Sequence, residues 1–209
     1  MRPHDRAART PSLLRWLRAG VLAALAAVLT GCASFYVDPG LPMVRAEQIR
    51  KPAAPQPTQL LVEFQTNGAA NARATDHVKP MVQKAVAESG LFSEIKAEPV
   101  SSQAVLAISI NNVGDIRQAA AKGFVTGLTF GLAGSAVTDV YICTVRYTRG
   151  DDQTFSTRIE HALITALGAG SAPAGLKPAN SAQEAIEQVV SQMVLTGLLR
   201  LATDPAFAK

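Results

Sequence analysis

Side chains that commonly act as nucleophiles, general bases or metal ligands are scarce in this sequence. Its 209 residues include two cysteines and three histidines. These residues do not form a Gly-x-Ser-x-Gly, His-Glu-x-x-His or Cys-x-x-Cys pattern, and no glycine-rich loop followed by a phosphate-binding lysine is present. The sequence therefore predicts no catalytic residues, no metal site and no cofactor.

Three pairs of adjacent polar residues are candidates for acid–base or cation chemistry. Asp76–His77 lies at a predicted helix start, where a capping residue and a solvated histidine are expected. Glu160–His161 lies on a predicted strand, so the two side chains point to opposite faces and cannot act together. Asp151–Asp152 lies in a predicted turn, where carboxylates commonly stabilise the turn itself. None of the pairs indicates a reaction.

Cys32 is the residue whose surroundings do predict chemistry. An arginine-rich segment of 18 residues opens the chain, and the apolar stretch Ala19 to Thr30 follows it with 12 residues. That length fits the apolar part of an export signal and is shorter than the ~20 residues of a membrane-spanning helix. Thr30 and Gly31 then place two small side chains directly before Cys32, which would let the backbone enter a peptidase.

The run Leu29-Thr30-Gly31-Cys32 resembles the lipobox of bacterial lipoproteins. The resemblance implies a signal peptide over residues 1–31, cleavage between Gly31 and Cys32, and a thioether from the Cys32 thiol to diacylglycerol. Acylation of the new amino terminus, for example by palmitate, would complete the anchor, since buried acyl chains contribute ~0.8 kcal/mol per CH₂. An ordinary signal peptide, or a short anchor helix with a chance cysteine, is the alternative.

The residue after Cys32 bears on the compartment. By analogy with enteric lipoproteins, Ala33 rather than aspartate at this position implies transfer to the outer membrane, on its periplasmic face. Retention in the inner membrane is the alternative. The expected partner of the mature chain is thus a membrane, contacted through the lipid on Cys32.

The charge of the chain is concentrated in the predicted signal. The whole sequence has 20 Lys and Arg against 16 Asp and Glu, but residues 1–31 hold five arginines and one aspartate. The remaining 178 residues carry 15 charges of each sign, so bulk charge draws the mature chain neither to nucleic acid nor to anionic lipid. Once Cys32 is lipidated, Cys143 has no partner and is expected to be a buried, unreactive thiol.

The mature chain divides by composition into a tether and one domain. Residues 32–58 contain five prolines and no core pattern, so they predict a lipid-anchored flexible tether with a reach of ~30 Å. Residues 59–209 alternate strand and helix patterns. Predicted strands cover 59–66, 91–97, 104–112, 137–149 and 153–166, with a hairpin turn at 150–152.

Two amphipathic helices complete the predicted domain. The first has apolar residues from Val78 to Val86 at helical spacing, is capped by Thr75 or Asp76, and ends at Gly90. The second starts at a capping box, Ser181-Ala-Gln-Glu, and places Gln192 on its solvent-facing side. The fold class is therefore α+β, with a mixed sheet of about five strands in the order β-α-β-β-β-β-α and two helices packed on one face.

A glycine-rich apolar segment, 123–138, interrupts this pattern. It holds no charged residue, and its glycines recur every fourth position, so that a helix would have one smooth face for close backbone packing. Three interpretations are open: burial within the domain, a surface for oligomers or a partner, and shallow membrane insertion. The candidate contact residues are Gly123, Gly127, Gly131, Phe124, Leu128 and Leu132.

The piece Glu88-Ser-Gly-Leu-Phe-Ser-Glu-Ile, followed by Ala104-Val-Leu-Ala-Ile-Ser-Ile, resembles a pattern in envelope lipoproteins. It is similar to auxiliary lipoproteins of envelope transporters, to the lipopolysaccharide-assembly lipoprotein and to small uncharacterised lipoproteins. The resemblance implies a non-enzymatic accessory in assembly or transport, acting through a protein partner or as a homo-oligomer. The alternatives are an oligomeric secretion or pore component using segment 123–138, and a periplasmic domain that binds or hydrolyses a small ligand.

Overall fold

A computed structural model describes residues 33–114, 135–150, 153–167, 173–205 and 207. Within these ranges the chain forms a mixed, open sheet with two helices packed on one face. The strands are β1 (Ala33–Val37), β2 (Gln56–Thr66), β3 (Ala69–Ala70), β4 (Phe92–Lys96), β5 (Ala104–Gly114), β6 (Ser135–Arg149) and β7 (Gln153–Leu167). The helices are α1 (Ala72–Ser89) and α2 (Ala182–Ala202), and a 3₁₀ turn covers Ala46–Gln48.

The sheet order is β1-β7-β6-β5-β2-β3. β4 pairs with the same edge of β2 as β3 does, but β4 lies near the start of β2 and β3 near its end. β2 runs parallel to β4 and β5, whereas β5, β6, β7 and β1 pair antiparallel. The α+β class and the two helices are confirmed. The sheet has seven strands, two more than predicted, because the short edge strands β1 and β3 were not predicted.

The core lies between the sheet and the helices. Strand alternation sends one set of side chains inward, and their register is continuous across the strands: Leu106 lies opposite Leu60 on β2 and Tyr147 on β6. The largest fully buried side chains of this layer are not aromatic. They include Leu106, Ile108, Ile110, Val145, Ile159, Met193, Leu198 and Leu201.

The helix termini differ in how well the sequence predicted them. α2 starts at Ser181, whose hydroxyl oxygen accepts from the Glu184 N–H at 3.1 Å, as predicted. α1 is capped by Asn71, whose side-chain oxygen accepts from the Ala74 N–H at 3.0 Å, and not by Thr75 or Asp76. The Thr75 hydroxyl is used instead to accept from the Phe64 N–H, which joins α1 to β2.

Residues 33–58 are not the predicted flexible tether. Residues 33–37 form edge strand β1 against β7, and β2 begins at Gln56. Between them, Val44 and Ile49 are buried in the core. The prolines do favour extended backbone, but an extended chain can still pack when apolar side chains alternate with them. The compact unit accordingly begins at Ala33.

Gly197 brings α2 into close contact with the sheet. A methyl group added at this position would lie 2.5 Å from Val145 Cγ2 and 3.2 Å from Ile159 Cδ1. Val145 is fully buried and its β-branched side chain has one preferred rotamer, so it cannot move aside cheaply. The glycine therefore sets the distance between α2 and strands β6 and β7.

Replacing Gly197 by alanine should destabilise the domain, although alanine favours helix. We expect Gly197→Ala to lower the free energy of unfolding by up to about 2 kcal/mol, since overpacking costs about 1–3 kcal/mol and helix propensity returns about 1 kcal/mol. Urea denaturation would measure this. In a Val145→Ala background the same substitution should cost less, because the clashing methyl is gone; an equal cost in both backgrounds would contradict the close approach.

Candidate functional site

The site residues predicted from the sequence lie outside the described part of the chain. This holds for Gly31 and Cys32, and for Gly123, Gly127, Gly131, Phe124, Leu128 and Leu132. The structure does place the residues that adjoin them. Ala33, next to Cys32, is the first residue of β1, and Ser135, in the last part of the glycine-rich segment, is the first residue of β6.

These two strand starts lie at one end of the sheet. Ala33 and Ser135 both pair with Leu167, the last residue of β7. We call this end of the three strands, formed by Ala33, Ser135 and Leu167, the Ala33 end. The chain segment that carries Cys32 and the one that carries the glycine repeat therefore meet the described domain at the same place.

The Ala33 end is uncharged, whereas the opposite end of the same strands is charged. Residues 33–37, 135–138 and 161–167 contain no Asp, Glu, Lys or Arg. Val137 within this band is 47 % exposed. Near the β6–β7 hairpin the strands instead carry arginines and a glutamate, and Arg158 forms an exposed ion pair of 3.1 Å with Glu160.

An apolar cavity of about 150 Å³ lies between the sheet and the two helices. Phe64, Tyr141 and Leu163 contribute from the strands, and helix residues close it from above. The rings of Phe64 and Tyr141 meet edge to face with centroids 6.5 Å apart. Such a space accepts only a small apolar group, since dry apolar cavities disfavour water.

A larger, mixed groove of about 670 Å³ runs between α1 and α2 on the outer side. His77, Lys84 and Glu88 line it from α1, and Glu184 and Glu187 from α2. His77 is exposed, as predicted from its place in the helix. Two of its charged residues, Lys84 and Glu88, form an exposed ion pair of 4.0 Å along α1.

A buried hydrogen bond between two side chains joins strand β7 to helix α2. His161 and Gln192 are 5 % and 8 % exposed, and His161 Nε2 lies 2.6 Å from Gln192 Oε1. An amide oxygen only accepts, so the neutral imidazole donates its Nε2 proton. Gln192 was predicted on the solvent-facing side of α2 and is buried instead. Glu160 points to the other face of β7 and is exposed, which confirms that it does not pair with His161.

Burial shifts the titration of this histidine. Desolvation lowers the pKa of His161 below its usual 6.5, and the hydrogen bond to Gln192 and the charge of Asp38 oppose that shift in part. Two groups on the neighbouring strand β6, Tyr141 and Cys143, also favour their neutral forms. Desolvation raises the pKa of Tyr141 to about 12, with the charge of Asp139 adding to it and a hydrogen bond to Asn112 opposing it. Desolvation raises the pKa of the fully buried Cys143 thiol to about 12.

No cluster of metal ligands and no membrane-spanning helix is found in the described ranges. There, no three His, Cys, Asp or Glu side chains lie close enough to share a metal ion. Neither of the two described α-helices is long and apolar enough to cross a bilayer.

No family model and no curated protein matches the chain. Among solved structures, it is similar to dodecamers of PelC from Paraburkholderia phytofirmans. The first is a PelC variant, with a TM-score of 0.36, 10% identity and coverage of 80% of this chain and 97% of that one. The second has a TM-score of 0.34, 8% identity and the same coverage. A third structure, of an uncharacterized protein, has a TM-score of 0.33 and 11% identity over 74% of this chain and 94% of that one. Likenesses at this level assign no family.

The depressed pKa of His161 predicts a loss of stability in mild acid. The folded state holds the imidazole neutral, so its contribution is complete above about pH 6.5 and is lost as the pH falls through the folded-state pKa. The slope is at most about 1.4 kcal/mol per pH unit. Urea denaturation at pH 7.5, 6.5 and 5.5 would measure it. His161→Gln should flatten this dependence and His77→Gln, at an exposed site, should not; an unchanged slope in His161→Gln would contradict the assignment.

Proposed function

We propose that this protein is a cell-envelope lipoprotein, anchored by lipid on Cys32 to the periplasmic face of the outer membrane, and that it serves as a non-enzymatic accessory in assembly or transport. The observation that carries the proposal is where the fold begins. The compact unit starts at Ala33, one residue after the lipobox cysteine.

This coincidence supports processing at Cys32 on physical grounds. Cleavage between Gly31 and Cys32 would leave every described strand and helix intact, because β1 contains only residues from Ala33 onwards. Cys32 would become the amino-terminal residue, so its thiol and amine would both be free of the strand register and available for acylation. A lipobox-like run inside a strand would have argued against processing.

The state of the titratable groups supports a non-enzymatic role. Nucleophilic catalysis needs a thiol or hydroxyl of lowered pKa beside a base. Cys143 instead is fully buried with a raised pKa, and the His161 side chain is committed to Gln192. Tyr141 likewise favours its neutral form. These pKa shifts follow from the burial of the three side chains in the core.

The open face of the sheet supplies a surface for a protein partner. A shallow groove of about 410 Å³ crosses β2, β5 and β6 on the face away from the helices. Leu61 is 47 % exposed there and lies opposite Ala107, while Glu63 and Arg146 bring charges of both signs. An apolar centre with a charged rim is the composition of protein–protein interfaces. This favours an accessory that binds another protein, or a second copy of itself.

Intact mass of membrane-extracted protein tests the proposal. We expect the mass of residues 32–209 plus acyl chains, and the loss of that modification and of membrane association in Cys32→Ser. The reason is that the thioether and the acylated amine both require this cysteine. An unmodified mass in the natural chain would refute the anchor. In the same preparation, size in mild detergent separates a monomeric accessory from the alternative oligomeric secretion component, for which a large defined ring is expected.

A further inference from the structure

We infer that the Ala33 end of the sheet lies against the phospholipid surface of the bilayer, while the β6–β7 hairpin points away from it. The inference rests on the proposed lipidation of Cys32 and adds which part of the domain meets the membrane. It starts from the short connection between Cys32, the proposed site of the lipid, and strand β1.

The connection from the lipid to the sheet is one peptide unit. Consecutive Cα atoms are ~3.8 Å apart, and Ala33 is already in register with Leu167. β1 keeps that register through Val37, opposite Leu163, so the chain cannot lift the domain away without breaking strand pairs. The ~30 Å reach expected of a flexible tether is therefore not available.

The distribution of charge along the strands favours the same orientation. The first charged residue of β6 counted from the Ala33 end is Asp139, and on β7 it is Glu160. Between Ser135 and Asp139 the strand rises by about 13 Å, which exceeds the ~5–10 Å depth of an interfacial contact. An uncharged band with an exposed Val137 costs little to place among lipid headgroups, whereas the arginines near the hairpin stay in water.

Two exposed threonines make a matched pair for testing this orientation. Thr138 lies near the Ala33 end, and Thr154 lies opposite Thr148 near the hairpin, so both are on the open face of neighbouring strands. The ten residues from Thr138 to Thr148 separate the two levels by about 33 Å. Each can be replaced by cysteine and labelled alone, because Cys143 is buried with its pKa raised to about 12 and Cys32 is acylated in the proposed mature form.

The experiment uses full-length Thr138→Cys and Thr154→Cys chains, processed in a bacterial host. Each is labelled with an environment-sensitive fluorophore and reconstituted into phosphatidylethanolamine–phosphatidylglycerol vesicles that contain nitroxide-headgroup lipid. We expect quenching of the Thr138→Cys label to be several-fold stronger than that of the Thr154→Cys label. Equal quenching at the two sites, or the reverse order, would overturn the orientation.

Intact mass of the same preparations separates this inference from the proposed function. Acylated protein with equal quenching would refute the orientation and leave the anchor standing. Protein without acyl chains would refute the proposed anchor, and the orientation with it. Acylated protein with stronger quenching at Thr138→Cys would support both.

Discussion

The packing of α2 on the sheet is the contact on which the rest of the structure depends. Gly197 lets the helix backbone approach Val145 and Ile159, and at that distance the large side chains on either side of it become fully buried. α1 packs against both α2 and β2, so its position follows from that of α2. His161 and Gln192, which are both buried between β7 and α2, satisfy each other through a hydrogen bond, as burial of polar groups requires.

The packing of α2 on the sheet also explains why the buried titratable groups favour their neutral forms. Tyr141, Cys143 and His161 come from the helix-facing side of β6 and β7, where desolvation favours neutral side chains. The chemistry proposed for this protein lies instead at Cys32, the residue before the first strand. With the proposed anchor, attachment and partner binding would lie on different parts of the domain: one end of the sheet adjoins Cys32, and the open face presents Leu61 between charged neighbours.

The sequence predicted those strands and helix starts that depend on residues close together in the chain. Alternation and β-branched residues located β5, β6 and β7, and the Ser181 cap located the start of α2. The strand β1 was not predictable, because its five residues stand beside prolines and become a strand only by pairing with β7. The contact of His161 with Gln192 joins residues 31 positions apart. Strand parity placed His161 beside Ile159 and Leu163, but no local signal indicated that Gln192 would be drawn inward. The glycine repeat and Cys32 stay predictions of the sequence.

The antiparallel pairing of β1 with β7 has a mechanical consequence for a protein anchored at Cys32. A force between the bilayer and the far end of the domain would act along the axis of β1, from its first residue. The backbone hydrogen bonds that join Ala33–Val37 to β7 would then be sheared together instead of being opened one at a time. The edge strand would therefore bear the load as a unit, and its hydrogen bonds to β7 would have to break together before it could leave the sheet.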